Sequence, residues 1–513
     1  MSTIEYLSLS KPKRFLYKIG NFFISIPKGV FNFFRKLKFY LLKFFKKIFT
    51  PFTNLFHWFA RGDLLTKISF LVMGTGEIFR GQKIRGLFNL IYEIAAITFI
   101  VLIGIPNFIA LPTFGYVGSS EFEINEPPFV GYKFSDDSFM ILLNCVITLV
   151  IILVLVFLWY TSIRDSYELQ SLRYIGKKKT DLETIKNFGD RDYHKVLLSI
   201  PTLGIAIFTI IPIIFMILIG FTNYNSNHMQ PKELFDWIGL GNFQKLLGFG
   251  SGVDSAQFSA VFLQILVWTL IWAFFATFTN YFLGMIVAIM INKKGIKLKK
   301  LWRTILITTI AVPQFVSLLL MSKMLNENTG IINNLLLQRG IIDKGIKFLT
   351  DGLVAKVVIV VVNMWIGIPY TMLMCTGLLM NIPEDLYESA KIDGASPYKM
   401  YMKITLPYML FVTTPYLISQ FVGNINNFNV IYLLSGGGPT FTNINGEILS
   451  ANIYGAGQTD LLITWLYKMS MGEVFKDYGA SSVIGIIVFV IVAFFSLIFY
   501  SKSNSVQNEE EFQ

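Results

Sequence analysis

Apolar residues run along this chain in long unbroken stretches, without the alternation of surface strands. Eight stretches stand out: 88–111, 139–162, 196–222, 259–291, 301–321, 354–380, 404–431 and 480–501. Each is long enough to cross a hydrocarbon core of about 30 Å, which takes roughly 20 apolar residues. Backbone amides facing lipid must be paired internally, so the stretches are expected to be helices. The short alternating segments of a membrane β-barrel are absent from the pattern. The expected fold class is an all-α polytopic membrane protein of about eight transmembrane helices. Span 88–111 is the weakest, because it carries Glu93.

Composition agrees. Hydrophobic residues make up 54% of the chain and charged residues only 15%, too few charges to coat a soluble domain of this size. The formal net charge of +12 would suit a nucleic-acid binder, but its distribution points elsewhere. With the N-terminus placed inside, 34 of the 44 Lys and Arg fall on the inner segments and nine on the outer loops. This is the positive-inside bias; it puts both termini in the cytoplasm, and no nucleic-acid partner is expected.

The expected layout follows. Residues 1–87 form a basic, cytoplasmic N-terminal region, 88–162 a first helix pair, 163–195 a polar inner linker, 196–501 a six-helix core, and 502–513 a tail. Residues 11–61 interleave Lys and Arg with Phe, which suits a basic amphipathic helix on an anionic inner leaflet; a partner-binding tail is the alternative. The Gly-rich stretch 64–87 reads as too polar to span and as interfacial, and loop 223–258 as a small irregular element at most. The N-terminus lacks the apolar run of a cleavable signal peptide. Cys145 and Cys375 both lie in apolar spans and His57, His194 and His228 are scattered, so neither a disulfide framework nor a metal site is expected. No cofactor is implied.

One inner segment is polar. In 383–401, Pro383 can sit in the first turn of a helix and Glu384 and Asp385 near its positive end. Gly394 can end that helix in a left-handed conformation, and Ser396-Pro397 can start the next one. The pattern Glu388-Ser-Ala390, Asp393-Gly394, then nine residues and Ile404-Thr-Leu-Pro407 resembles the coupling ("EAA") loop of permease subunits of ATP-binding-cassette (ABC) importers. That resemblance implies that Glu388, Ala390, Asp393 and Gly394 lie at or near a surface docked by a separate ATPase. Ser389 stands where the family often has Ala. The chain has no Gly-x4-Gly-Lys-Ser/Thr phosphate loop of its own; Gly176-Lys-Lys-Lys-Thr lacks the upstream Gly.

Inside the core spans the polar residues are mostly amides. Asn363, Gly367 and Tyr370 share one helix face by spacing, and Gln420, Asn424 and Asn427 repeat the pattern. Beside aromatic rings (Trp365, Tyr370, Phe421, Phe428), such groups suit a sugar. Spacing alone leaves interhelical hydrogen bonding equally open. Buried charge relays, which proton-driven carriers use, are not evident, and Arg303 stands at an inner edge.

Residues 363–370 and 421–428, with Ser435-Gly-Gly-Gly-Pro439 and Thr459-Asp-Leu-Leu462, resemble MalF-like permeases of maltose/maltodextrin importers over about 196–501. The resemblance implies that Asn363, Ile366, Gly367, Tyr370, Gln420, Asn424 and Asn427 surround the sugar. It further implies a second, MalG-like permease, two copies of a MalK-like ATPase, an extracellular sugar-binding protein and an oligosaccharide substrate. No catalytic residue is implied. Gln420 and Gly423 depart from the family's Ser and aromatic residue, which puts chain-length preference in question. The short 223–258 loop suits a bacterial cell with one membrane. Rival readings are a permease for another neutral sugar or polyol, and a non-transporting scaffold or insertase.

Overall fold

The computed structural model describes residues 50–115, 136–190, 193–229, 234–250, 253–293, 295–444, 447–448, 453–472 and 476–502. The expected amphipathic helix over 11–61 therefore lies outside the described residues up to 49, and 50–61 is helical. Most of the first outer loop and nearly all of the C-terminal tail lie outside them as well. The chain divides into two compact units, Met1–Ile109 with Asn144–Ile211, and Ala110–Leu143 with Pro212–Gln513.

Six described helices are long and apolar enough to cross a membrane: Lys83–Ala110, Ser138–Tyr174, Val196–Ile219, Ser255–Asn292, Gly352–Leu379 and Tyr478–Phe499. The expected straight span 301–321 is instead a bent pair, Lys299–Ala311 and Gln314–Met324, at 88° to each other. Pro313 explains the break: it donates no hydrogen bond and pushes the residue before it out of the helical region. Val312 accordingly takes an extended ψ of 126°. The remaining expected span, 404–431, is helical over Leu406–Ile425 but breaks at Asn426, and a short helix Phe428–Leu434 follows. Its Tyr, Thr, Gln and Asn residues leave it less apolar than the six.

In the first unit, the Gly-rich stretch folds into two five-residue helices, Leu64–Ile68 and Thr75–Phe79, ahead of the first span. Gly74 has a φ of 83°, and a Cβ on either Gly74 or Gly86 would strike the backbone of the other. Several polar groups here are buried and paired. Glu77 accepts from Asn89 Nδ2 at 2.9 Å and Ser162 Oγ at 3.0 Å, and Arg80 donates to Ser166 O at 2.9 Å. Burial pushes the Glu77 carboxyl up, against the pull of Ser162 and Arg85. Glu93, the charge that makes the first span look weak, accepts from Met73 N at 2.7 Å and so satisfies an otherwise orphaned turn amide.

The second unit is organised by the long helix Val253–Asn292, which lies along Gly352–Leu379 and Leu406–Ile425. Its Trp268 and Trp272 pack with Leu318, Ile359 and Val430, and farther along Tyr281 and Met285 pack with Met372, Cys375 and Met409. Neither indole N–H is left unpaired: Trp268 Nε1 donates to Thr459 O and Trp272 Nε1 to Asn424 O, both at 3.1 Å. Both cysteines are buried and free. Loop 223–258 does carry a small element, the helix Gly241–Leu247, whose Asn242 Nδ2 donates to Gly220 O and Thr222 O.

Candidate functional site

The connecting segment is a helix, a turn and a second helix. Pro383 is the N-cap of Glu384–Ile392, one residue before the first turn, with Glu384 and Asp385 inside that turn. Gly394 ends the helix with a φ of 73°, and Ala395 N donates to Ala390 O at 2.9 Å, closing the last turn. Ser396 Oγ accepts from Lys399 N at 3.3 Å and caps Pro397–Met400, which runs on through 401–405 into Leu406–Ile425. No residue of Glu384–Ile392 is buried. Glu388, Asp393 and Gly394 are exposed, Ala390 is half-buried, and Ile392 is 87% exposed.

A cavity of about 340 Å³ opens among the core helices. This falls at the lower end of small-molecule sites, about 300–1,000 Å³. All seven residues singled out in the sequence line it: Asn363, Ile366, Gly367 and Tyr370 from Gly352–Leu379, Gln420 and Asn424 from Leu406–Ile425, and Asn427 at the head of Phe428–Leu434. Its lining contains no charged side chain.

The amides behave differently from one another. Asn427 Nδ2 donates to Asn424 Oδ1 at 3.2 Å, and Asn424 Nδ2 donates to Thr277 Oγ1 at 3.0 Å. For Asn424 the interhelical alternative therefore holds at least in part. Asn427 Oδ1 also caps the following helix by accepting from Val430 N at 3.3 Å. By contrast, Asn363 Nδ2 is buried without a hydrogen-bond partner, and so is Asn280 Oδ1 on the neighbouring helix. An orphaned buried group costs about 1–3 kcal/mol.

Of the four aromatic residues expected beside the amides, only Tyr370 lines the cavity. Trp365 lies two positions from Asn363, about 200° around the helix, and is exposed. Phe421 packs on Phe495, and Phe428 stacks on Tyr432. Tyr281 and Tyr416 take their place in the wall. Gly423 is not part of the lining, although a Cβ there would meet nothing within 4 Å. Sequence reasoning also missed Asn280, Thr309 and Gln314, which line the cavity. Pro313, at the bend that brings the last two to the cavity, was the available signal, since broken membrane helices commonly frame substrate sites.

Ser435–Pro439 and Thr459–Leu462 meet in space. Ser435 Oγ lies 2.9 Å from Thr459 Oγ1, which in turn donates to Gly438 O at 2.7 Å. A side chain at Gly437 would overlap the Asp460 carboxylate. That carboxylate is fully buried and accepts from Lys468 Nζ at 2.7 Å, Thr464 Oγ1 at 2.8 Å and Gly457 N at 2.8 Å. Burial pushes the Asp460 carboxyl up, against the pull of these three donors. The fully buried Asp460 and the half-buried Lys468 thus form an ion pair in the segment between the core helices.

Comparison with known proteins bears on this arrangement. The sequence profile described as "Binding-protein-dependent transport system inner membrane component" matches residues 280–503. The maltodextrin transport system permease protein MalC of Streptococcus pneumoniae (serotype 4, strain ATCC BAA-334 / TIGR4) is 31% identical over 451 residues, covering 86% of this chain and 96% of MalC. In Bacillus subtilis (strain 168), the maltodextrin permease MdxF is 30% identical over 448 residues, 86% of this chain and 95% of MdxF. The galactooligosaccharides permease GanP of the same strain is 30% identical over 446 residues, 86% of this chain and 97% of GanP. With a bare connecting helix, an uncharged cavity and full-length relatives at this identity, the chain belongs to the binding-protein-dependent transport system inner membrane component family: it is a multi-pass membrane permease subunit of an ABC importer, and not itself an enzyme.

Proposed function

We propose that the chain carries a neutral oligosaccharide of the maltodextrin type through the cavity lined by Asn363, Gly367, Tyr370, Gln420, Asn424 and Asn427. The carrying observation is the cavity's chemistry: amides, hydroxyls and tyrosine rings, with no full charge in the wall. Sugar hydroxyls pair with amides, and sugar C–H faces lie on rings. A phosphorylated or carboxylated cargo would want Arg or Lys there. The names of the relatives MalC and MdxF support maltodextrin; GanP, equally similar, favours galacto-oligosaccharide as a second reading.

In this reading the permease pairs with a second permease to enclose the path. Two ATPase copies sit beneath the permease pair, and one of them docks on the bare face of Glu384–Ile392, at Glu388, Ala390, Asp393 and Gly394, on the cytoplasmic side, where both termini also lie. An extracellular binding protein of a bacterial cell delivers the sugar. Closure of the ATPases moves 383–401 as a rigid unit, and the cavity opens alternately to the two sides. A scaffold or insertase would use the amides for packing alone.

The test is uptake. The chain, co-expressed with its partner subunits and binding protein and reconstituted into ATP-loaded vesicles, should take up labelled maltotriose. Galacto-oligosaccharide should compete poorly. Preferential uptake of galacto-oligosaccharide would move the reading to GanP's class of cargo. A purified assembly with no ATPase, or no sugar uptake at all, would overturn it.

A further inference from the structure

Two orphaned groups of opposite kind border the same cavity. Asn363, on Gly352–Leu379, is only 6% exposed, and its Nδ2 donor has no partner. Asn280, on Val253–Asn292, holds a buried Oδ1 acceptor with no partner. Both residues line the cavity, as does Gly367 one turn beyond Asn363. Gly367 is what seats Asn280: a Cβ at 367 would overlap the Asn280 amide. The glycine's own carbonyl accepts from Thr371 Oγ1 at 3.1 Å.

Packing does not account for this. Amides that serve packing here are paired, as Asn427 is with Asn424 and Asn424 with Thr277. A donor on one helix and an acceptor on its neighbour, both unpaired and both on residues that line one cavity, match one chemical group common to all neutral sugars. A hydroxyl gives one hydrogen bond and accepts others. We propose that Asn280 is a further specificity-determining residue, which reads one sugar hydroxyl together with Asn363: the hydroxyl donates to Asn280 Oδ1 and accepts from Asn363 Nδ2. This deepens the oligosaccharide reading above and rests on it. A site built to bond a hydroxyl rejects the analogue lacking it, because its own polar groups are then left unpaired.

The experiment uses the full complex in ATP-loaded vesicles, with labelled maltotriose competed by a panel of mono-deoxy and mono-O-methyl maltotrioses. Wild type should discriminate against one deoxy position by roughly tenfold or more, and against the same position when O-methylated. Asn280→Leu, close in volume but without an acceptor, should raise the uptake KM about tenfold, keep the maximal rate within about twofold, and erase the discrimination at that one position. Complex yield and melting in detergent report folding separately and should not change. Asn280→Leu with an unchanged KM and unchanged analogue ranking would overturn the inference while leaving the sugar reading intact. So would a variant whose complex yield falls while the remaining uptake keeps the wild-type ranking. Wild type that takes up none of the panel sinks the sugar reading and this inference together.

Discussion

The hydroxyl of Tyr387 lies 2.8 Å from Oγ1 of Thr405. Tyr387 is on the connecting helix Glu384–Ile392, and Thr405 is the last residue before the helix Leu406–Ile425, whose far half lines the cavity. This bond clamps the elbow on the side opposite its turn. A net hydrogen bond is worth about 0.5–1.5 kcal/mol, or roughly two- to tenfold in an equilibrium. Tyr387→Phe should therefore lower sugar moved per ATP several-fold while the complex still assembles. Measured in vesicles, an unchanged coupling ratio would show that the clamp transmits nothing.

Gly394 offers a harsher change at the same elbow. Its φ of 73° is closed to proline, whose ring holds φ near −65°. Gly394→Pro also removes the N–H that donates to Lys391 O at 3.0 Å. The variant should insert and assemble but hydrolyse ATP without transport. Normal uptake by Gly394→Pro would remove this segment from the force path.

Asn424 and Asn427 should separate when mutated. Asn424→Ala strips partners from Thr277 and Asn427 and should cut sugar uptake more than complex yield. Asn427→Ala also removes the cap on Val430 N, a loss of about 0.5–2 kcal/mol, so it should lower thermal stability as well. Asn427→Ser keeps a capping oxygen and should recover the stability without the uptake. Melting in detergent, paired with uptake kinetics, tests this; equal behaviour of the Ala and Ser variants would refute it.

Gly437→Ala should behave as a structural lesion. The added Cβ would overlap the Asp460 carboxylate, at a φ of 81° that already disfavours a side chain. Pulling that carboxylate from Lys468 leaves a buried charge poorly paired, a loss expected on the order of 3–5 kcal/mol. Complex yield should fall sharply, and a normal yield would mean that the segment repacks at no cost.

Much of the architecture could be read from the chain alone. Span positions follow from continuous apolar stretches, because lipid permits no unpaired backbone. The elbow was legible for a local reason: Pro383, Gly394 and Ser396 act through their own φ angles and side chains, with no distant partner required. That Asn363, Gly367 and Tyr370 fall on one side was also legible, because 363, 367 and 370 share a helix face wherever that helix packs.

What lay beyond the sequence depended on who sits opposite whom. Nothing in the spacing places Asn280 against Gly367; that requires the helices Val253–Asn292 and Gly352–Leu379 to meet at one height. The bend at Pro313 turns an expected straight span into a corner of the cavity. Asp460 and Lys468 look like loop charges until the fold buries them together. Periodicity along a chain states which side of a helix is polar. The pairing of one polar side with another, and the donor or acceptor left over for a ligand, are settled only when separate helices are packed.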